Sequence, residues 1–289
     1  MVKALRRAVT ERLGDGEKYL AERGVDETAA NAEFLMAEAL GCGRADVHAR
    51  ADYILEPKQD HHFWDMIKRR GRRVPLAYVL GFQPFMDCRI KVNSSVLIPR
   101  PETEQLVEAV IELAGGKGAV HIVDVGTGSG CVSIALARRL PAAMIYATEI
   151  SAAALKMAEE NAGLNGVAQR IRFLCEDLFK PERRSSPWAD IVVANPPYIP
   201  TAELKTLDKE VLREPFLALD GGKDGLDAVR AIAADAPRML KPGGRLALEI
   251  GDGQADKVRG ILERGGFSAV EIRRDLQRRE RIALAGLPK

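Results

Sequence analysis

Four consecutive residues, Asn195-Pro196-Pro197-Tyr198, join an amide, two imino acids and an aromatic ring directly after an apolar run. That run, Ala189-Asp190-Ile191-Val192-Val193, reads as a buried strand that delivers Ala194 and the tetrad to its carboxyl end. Neither proline has a backbone N–H, so the segment cannot go on donating to a sheet, and its carbonyls sit in a stiff extended turn. In open α/β sheets, ligands bind outside the carboxyl ends of the strands. Such a turn suits methylation of a planar –NH2 group, whose delocalised lone pair makes it a weak nucleophile. The Asn195 side-chain oxygen and the Pro196 carbonyl can accept both N–H bonds of that group, and the Tyr198 ring can stack on its plane. Positioning and electrostatics then carry the step, with no strong base needed before attack. The alternative is a rigid turn with a packed tyrosine.

The elements upstream supply a second set of polar ends. Val120 to Val125 reads as a strand, and Gly126-Thr127-Gly128-Ser129-Gly130 turns the chain from it into an amphipathic helix ending near Leu140. Glycines there let backbone approach a ligand closely. The spacing is GxGxG, since Cys131 and Val132 follow Gly130, which departs from the dinucleotide fingerprint. The next strand, Met144 to Thr148, ends at Glu149, where a carboxylate can accept both ribose hydroxyls of an adenosine. Ser151 caps the helix after it, and a third strand, Ile171 to Cys175, runs to Asp177-Leu178-Phe179. Acidic or glycine-rich ends on three successive strands point to an adenosine-type cofactor.

Taken with Val96-Leu97-Ile98-Pro99-Arg100-Pro101-Glu102-Thr103-Glu104 and with Asp124-Val125 before the glycine loop, the tetrad resembles the signature of the HemK/PrmC family. The resemblance runs from about Ala29 to the carboxyl end. It implies a class I S-adenosylmethionine-dependent methyltransferase: an α/β, Rossmann-like seven-stranded sheet with a terminal hairpin, a small N-terminal helical domain and a β-hairpin linker. It also implies transfer of a methyl group from S-adenosyl-L-methionine to the glutamine side-chain amide in the GGQ motif of class I peptide chain release factors. On that basis Gly126, Thr127, Gly128, Ser129, Gly130, Glu149, Asp177, Leu178 and Asn195 hold the cofactor, with Asp177 or its neighbouring backbone at the adenine amino group and Leu178 on the ring. Asn195, Pro196 and Tyr198 are the catalytic residues, and with Pro197 they bind the substrate amide; Arg100 and Glu102 lie beside the cleft. No metal is implied. Asp87 and Ile90 depart from the glycine and aromatic that the family usually carries.

The resemblance implies a division into a helical substrate-binding segment (1–73), for which a purely structural extension is the alternative, a hairpin linker (74–95) and the methyltransferase domain (96–289). Ala32, Leu35, Met36, Ala39 and Leu40 form an apolar stripe, with Asp26 as cap and Gly41 as stop. Phe63, Met66, Ile67 and Arg70 outline a second helix closed at Gly71. Tyr78 to Phe82 and Arg89 to Val92 read as the two strands of the hairpin. Pro101 starts a further helix with acidic residues in its first turn. Glu214-Pro215 and Gly221 to Gly225 read as a lid or a long connection, and Lys241-Pro242-Gly243-Gly244 as a stop and turn before the strand Arg245 to Ile250. Further strands follow Gly266-Phe267-Ser268 and occupy Arg281 to Ala285.

Composition bounds these readings. The 289 residues are 46% hydrophobic, with no run of membrane-spanning length, and the basic start Met1 to Arg7 is followed by no signal-peptide core. A cytoplasmic protein is expected. Four cysteines and four histidines make no ligand spacing, which argues against a zinc site or disulfide framework. Cys131, at a helix start, reads as a small packing residue rather than a thiol of lowered pKa. A net charge of +2 gives no overall case for nucleic acid. Locally, Lys68-Arg69-Arg70-Gly71-Arg72-Arg73 suits either RNA or an acidic partner, or simply a solvated helix end. The rival functions are methylation of an adenine amino group in nucleic acid, methylation of a glutamine in a ribosomal protein, and an inactive cofactor-binding module.

Overall fold

Parallel strands buried on both faces read as largely apolar runs, and most of the segments after Val120 do so, with single polar residues such as Asp124 and Asp190 among them. In the computed structural model, which describes residues 7–116, 118–178 and 187–289, they build a seven-stranded sheet. Residues 1–6 of the basic start, and Phe179, lie outside the described residues. By internal contacts the chain forms two compact units. One comprises residues 82–207 and 214–289; the other comprises the residues up to Gly81 together with 208–213.

The larger unit opens with a hairpin, β1 (Phe82–Phe85) and β2 (Cys88–Lys91), turned at Met86 and Asp87. Helix α6 (Pro101–Ala114) leads to β3 (His121–Val125), α7 (Cys131–Arg139), β4 (Met144–Glu149), α8 (Ala152–Leu164), β5 (Ile171–Cys175) and β6 (Ala189–Ala194). The chain then passes through α9 (Asp227–Met239), β7 (Leu240–Glu249), α10 (Ala255–Arg264), β8 (Ser268–Arg274) and β9 (Glu280–Gly286). The strand order is β5-β4-β3-β6-β7-β9-β8, with β9 antiparallel to both neighbours and the five strands β3 to β7 parallel. This is the expected α/β class I architecture. Strand order reverses between β3 and β6, and such a switch point opens a crevice at the carboxyl ends.

Two local readings change. Helix α7 is not amphipathic: Cys131 to Ala137 are all buried, and only Arg138 and Arg139 of the helix reach solvent. Its one hydroxyl, Ser133, is satisfied internally by Asp124. Lys241-Pro242-Gly243-Gly244 does not precede the strand but bulges within it, between Leu240 paired to Ala189 and Arg245 paired to Ile191.

The other unit packs α1 (Val9–Ala21), α2 (Thr28–Leu40), α3 (Arg44–Ala49), α4 (Pro57–Gly71) and α5 (Leu76–Leu80) around Leu20, Leu35, Met36, Phe63 and Ile67. The hairpin strand read from Tyr78 is replaced by α5. Its apolar residues suit either state, but the Arg69 guanidinium donates to the Tyr78 and Val79 carbonyls and so completes a helix end. Gly81, at φ +81°, terminates it. Asp26 is not the cap of α2. That place falls to Glu27 at φ +48°, and the Asp26 carbonyl accepts from Asn31 Nδ2.

The basic run is largely engaged inside this unit. Arg70 is buried and donates to Asn31 Oδ1 and Glu210, while Arg73 donates to Glu210 and to the Gly24 carbonyl. Burial opposes the Glu210 charge, but hydrogen bonds from Arg73 and Arg70 outweigh it and hold the carboxyl down at about 2. Lys68, Arg69 and Arg72 remain exposed. Among the described residues no helix is long and apolar enough to cross a membrane.

Candidate active site

A cleft of about 320 Å³ opens at the carboxyl edge of the sheet in the larger unit. Gly126, Thr127, Gly128 and Ser129 line it after β3, Glu149 after β4, Asp177 and Leu178 after β5, and Asn195, Pro196 and Pro197 after β6. These segments meet because parallel register places Thr148 opposite Val125, and Val125 opposite Ala194.

The glycine loop is held from below by a buried carboxyl. Asp124 accepts from Thr127 Oγ1 at 2.7 Å and from Ser133 Oγ at 2.6 Å, and burial raises its pKa. Its glycines divide by role. Gly126 (φ +72°) and Gly128 (φ +56°) would each point a Cβ into open space, so their bare backbone faces the cleft. Gly130 (φ +82°) is not among the lining residues; a Cβ there would sit 3.0 Å from Ala158 Cβ, so it serves the packing of α7 on α8. Glu149 accepts the backbone N–H of Gly128 and of Ser151, each at 2.9 Å, one on each carboxylate oxygen. Bare backbone, a carboxylate fixed by two amides and the apolar Leu178 and Val132 make a donor and acceptor set that suits an adenosine-type group.

At the tetrad, Asn195 Nδ2 donates to Thr103 Oγ1 at 3.1 Å, and Thr103 Oγ1 donates to Glu249 Oε2 at 2.7 Å. Thr103 is 2% exposed and Glu249 1%. Tyr198 does not line the cleft; burial pushes its hydroxyl up to about 12, and its backbone carbonyl accepts from Gln254 Nε2 at 2.9 Å. The segment read as a lid or connection is the seat of this loop. Ile199 N donates to the Leu219 carbonyl and Gly221 N to the Ile199 carbonyl, tying the two stretches side by side. A Cβ on Gly225 would lie 2.3 Å from the Tyr198 carbonyl oxygen. Gly225→Ala is therefore expected to displace the loop and to destabilise the protein by roughly 1–3 kcal/mol, the range for overpacking. A urea denaturation midpoint equal to that of the wild type would contradict this.

Arg100 lines the cleft but its guanidinium is taken by buried Glu214, which also accepts Ile98 N at 3.0 Å. Glu102 is not among the lining residues. Cys131 lines the cleft as a buried thiol that burial pushes up to about 12, so it is not a lowered-pKa nucleophile. Sequence reasoning missed Thr103, Glu214, Glu249 and Gln254 as site residues. For Glu249 there was a signal: one acid inside the apolar run Leu246-Ala247-Leu248-Glu249-Ile250. Among the described residues no group of three or more His, Cys, Asp or Glu is placed to hold a metal ion.

The sheet order, the glycine loop and the polar turn after β6 define a class I methyltransferase. The fold agrees with a solved structure of the hMettl16 catalytic domain in complex with MAT2A 3′UTR hairpin 6, at a TM-score of 0.59 and 17% identity, over 78% of this chain and 83% of that one. Residues 11–81 match the model of the PrmC N-terminal domain, and residues 102–209 that of ribosomal protein L11 methyltransferase (PrmA). The release factor glutamine methyltransferase of Moorella thermoacetica is 43% identical over 94% of this chain and 96% of its own. The protein of the same name from Geobacter sulfurreducens is 42% identical over 86% of each. The chain belongs to the release factor glutamine methyltransferase family.

Proposed function

We propose that this protein transfers a methyl group from S-adenosyl-L-methionine to the side-chain amide nitrogen of the glutamine in the GGQ motif of class I peptide chain release factors. One observation carries the reading: the Asn195-Pro196-Pro197 turn opens into the same cleft as the bare glycine loop and Glu149. S-adenosylmethionine, when bound, supplies an electrophilic methyl group. Gly126, Thr127, Gly128, Ser129, Glu149, Asp177 and Leu178 hold its adenosine and amino acid parts, with Glu149 on the ribose and Gly130 keeping the loop in shape behind them. Asn195 Oδ1 and the Pro196 carbonyl accept the two N–H bonds of the glutamine amide and stabilise the positive charge that develops on its nitrogen. Pro197 stiffens the turn, and Tyr198, outside the cleft lining, anchors it through its backbone carbonyl on Gln254.

The helical segment before Val74, with the linker at 74–95, grips the release factor away from its glutamine, which makes the encounter at the cleft effectively intramolecular. The reaction then belongs in the cytoplasm. The family membership supports the substrate class, and within the basic run Arg70 and Arg73 are taken up by Asn31 and Glu210. A labelled-methyl assay with release factor, GGQ peptide and double-stranded DNA side by side tests the reading. Release factor is expected to take the label, the peptide less, and DNA none. Preferential labelling of DNA, falling with salt as phosphate contacts do, would replace this function with nucleic-acid methylation.

A further inference from the structure

We propose that Thr103 and Glu249 are positioning residues that decide which end of the Asn195 side-chain amide faces the substrate nitrogen. The inference rests on the amide-methylation reading and deepens it. The two ends of a carboxamide have nearly the same shape, so packing alone does not choose between them. Hydrogen-bond polarity does.

An ionised carboxylate can only accept. Thr103 has one hydroxyl proton, and at 2.7 Å from Glu249 Oε2 that proton points to the carboxylate. Toward Asn195 the hydroxyl can then only accept, so Asn195 presents Nδ2 to it at 3.1 Å. Oδ1 is the end left for the cleft. A proton on Glu249 reverses the chain: the carboxyl donates to Thr103, the hydroxyl donates onward, and the Asn195 amide turns over to satisfy it. The cleft would then meet an –NH2 donor where the substrate amide offers donors of its own, and the clamp is lost.

The surroundings of Glu249 place this reversal in a useful range. Burial pushes its carboxyl up to about 7, hydrogen bonds from Thr103 and Asn195 and the charge of Arg281 pull it down, and the charge of Glu102 adds to the rise. Thr103 and Glu102 come from α6, Asn195 and Tyr198 from the turn after β6, and Arg281 from β9. The Tyr198 hydroxyl and the Cys131 thiol at the start of α7 are each raised to about 12 and stay neutral. Helix α9 contributes Val229, Ile232 and Ala236 to the apolar cluster that also holds Leu246 and Leu248 of β7.

The test reads the chain twice on the full-length protein. The Asn195 side-chain amide signals are followed by proton–nitrogen NMR, without substrate, from about pH 5 to pH 9. They are expected to move with a midpoint near neutrality, to stop moving in Glu249→Gln and to keep moving in Thr103→Ser. Single-turnover methyl transfer to release factor is then measured over the same range. The wild-type rate rises through the same midpoint, Thr103→Ser keeps the rise, and Thr103→Val loses about 10-fold, the loss expected for one hydrogen bond, with cofactor affinity unchanged. Wild-type signals that stay fixed, a titration that persists in Glu249→Gln, or a wild-type rate in Thr103→Val each overturn the proposal. If Glu249→Gln does not fold, the wild-type titration and the two Thr103 variants decide. Signals that titrate as expected in a protein that leaves release factor unlabelled would keep the relay and remove the functional reading alone.

Discussion

Asn195→Ala is expected to lower the single-turnover rate of methyl transfer to release factor by roughly 100- to 1,000-fold, the range for losing one preorganised polar group at a developing charge. The side chain sits where β6 ends and faces the cleft, so its removal deletes an acceptor without touching the sheet. Release factor should still bind within a few fold, because the acceptor matters most as charge grows on nitrogen. Asn195→Asp separates two explanations. It keeps an oxygen toward the cleft but places a carboxylate beside Thr103, which would have to donate to both it and Glu249 with one proton. The aspartate variant is therefore expected to remain slow. An alanine variant at the full wild-type rate would eliminate the amide clamp.

Gly128→Val is expected to raise the dissociation constant for S-adenosylmethionine by roughly 100-fold, measured by calorimetry, which is about 2.7 kcal/mol. Two effects combine. At φ +56° a β-branched residue is strained by about 1–2 kcal/mol, and its side chain would stand in the open space that the bare backbone now leaves to the cleft. The same residue donates its N–H to Glu149, so a shifted loop also releases the carboxylate. Cofactor affinity unchanged in this variant would mean that the cofactor binds elsewhere.

The strands and the tetrad were legible because each carries its own signal: short, mostly apolar and β-branched runs for β3, β4 and β6, and a residue set with few other uses for the turn. Helix α5 was not, since Tyr78-Val79-Leu80 suits either state and the guanidinium that completes the helix belongs to Arg69. The glycine loop was legible as a cradle, but only packing against Ala158 separates Gly130 from Gly126 and Gly128. The partners of Asn195 were hidden for a simpler reason. Thr103 and Glu249 lie 146 positions apart, and nothing local to either announces the other. The helix-start acids looked complete as dipole partners, which masked the threonine between them.

Residues 208–213 group with the helical unit although the chain on either side of them groups with the sheet, and within that stretch Glu210 engages Arg70 and Arg73. This bears on inheritance. A recombination at one junction near Gly81 would bring in a foreign helical module and leave Glu210 behind, facing whatever side chains the newcomer carries. Exchange of the module would thus require a matching change at a second, distant stretch of the gene. The helical unit is encoded in two separated stretches of the sequence, and replacing the first alone would take Arg70 and Arg73 away from Glu210.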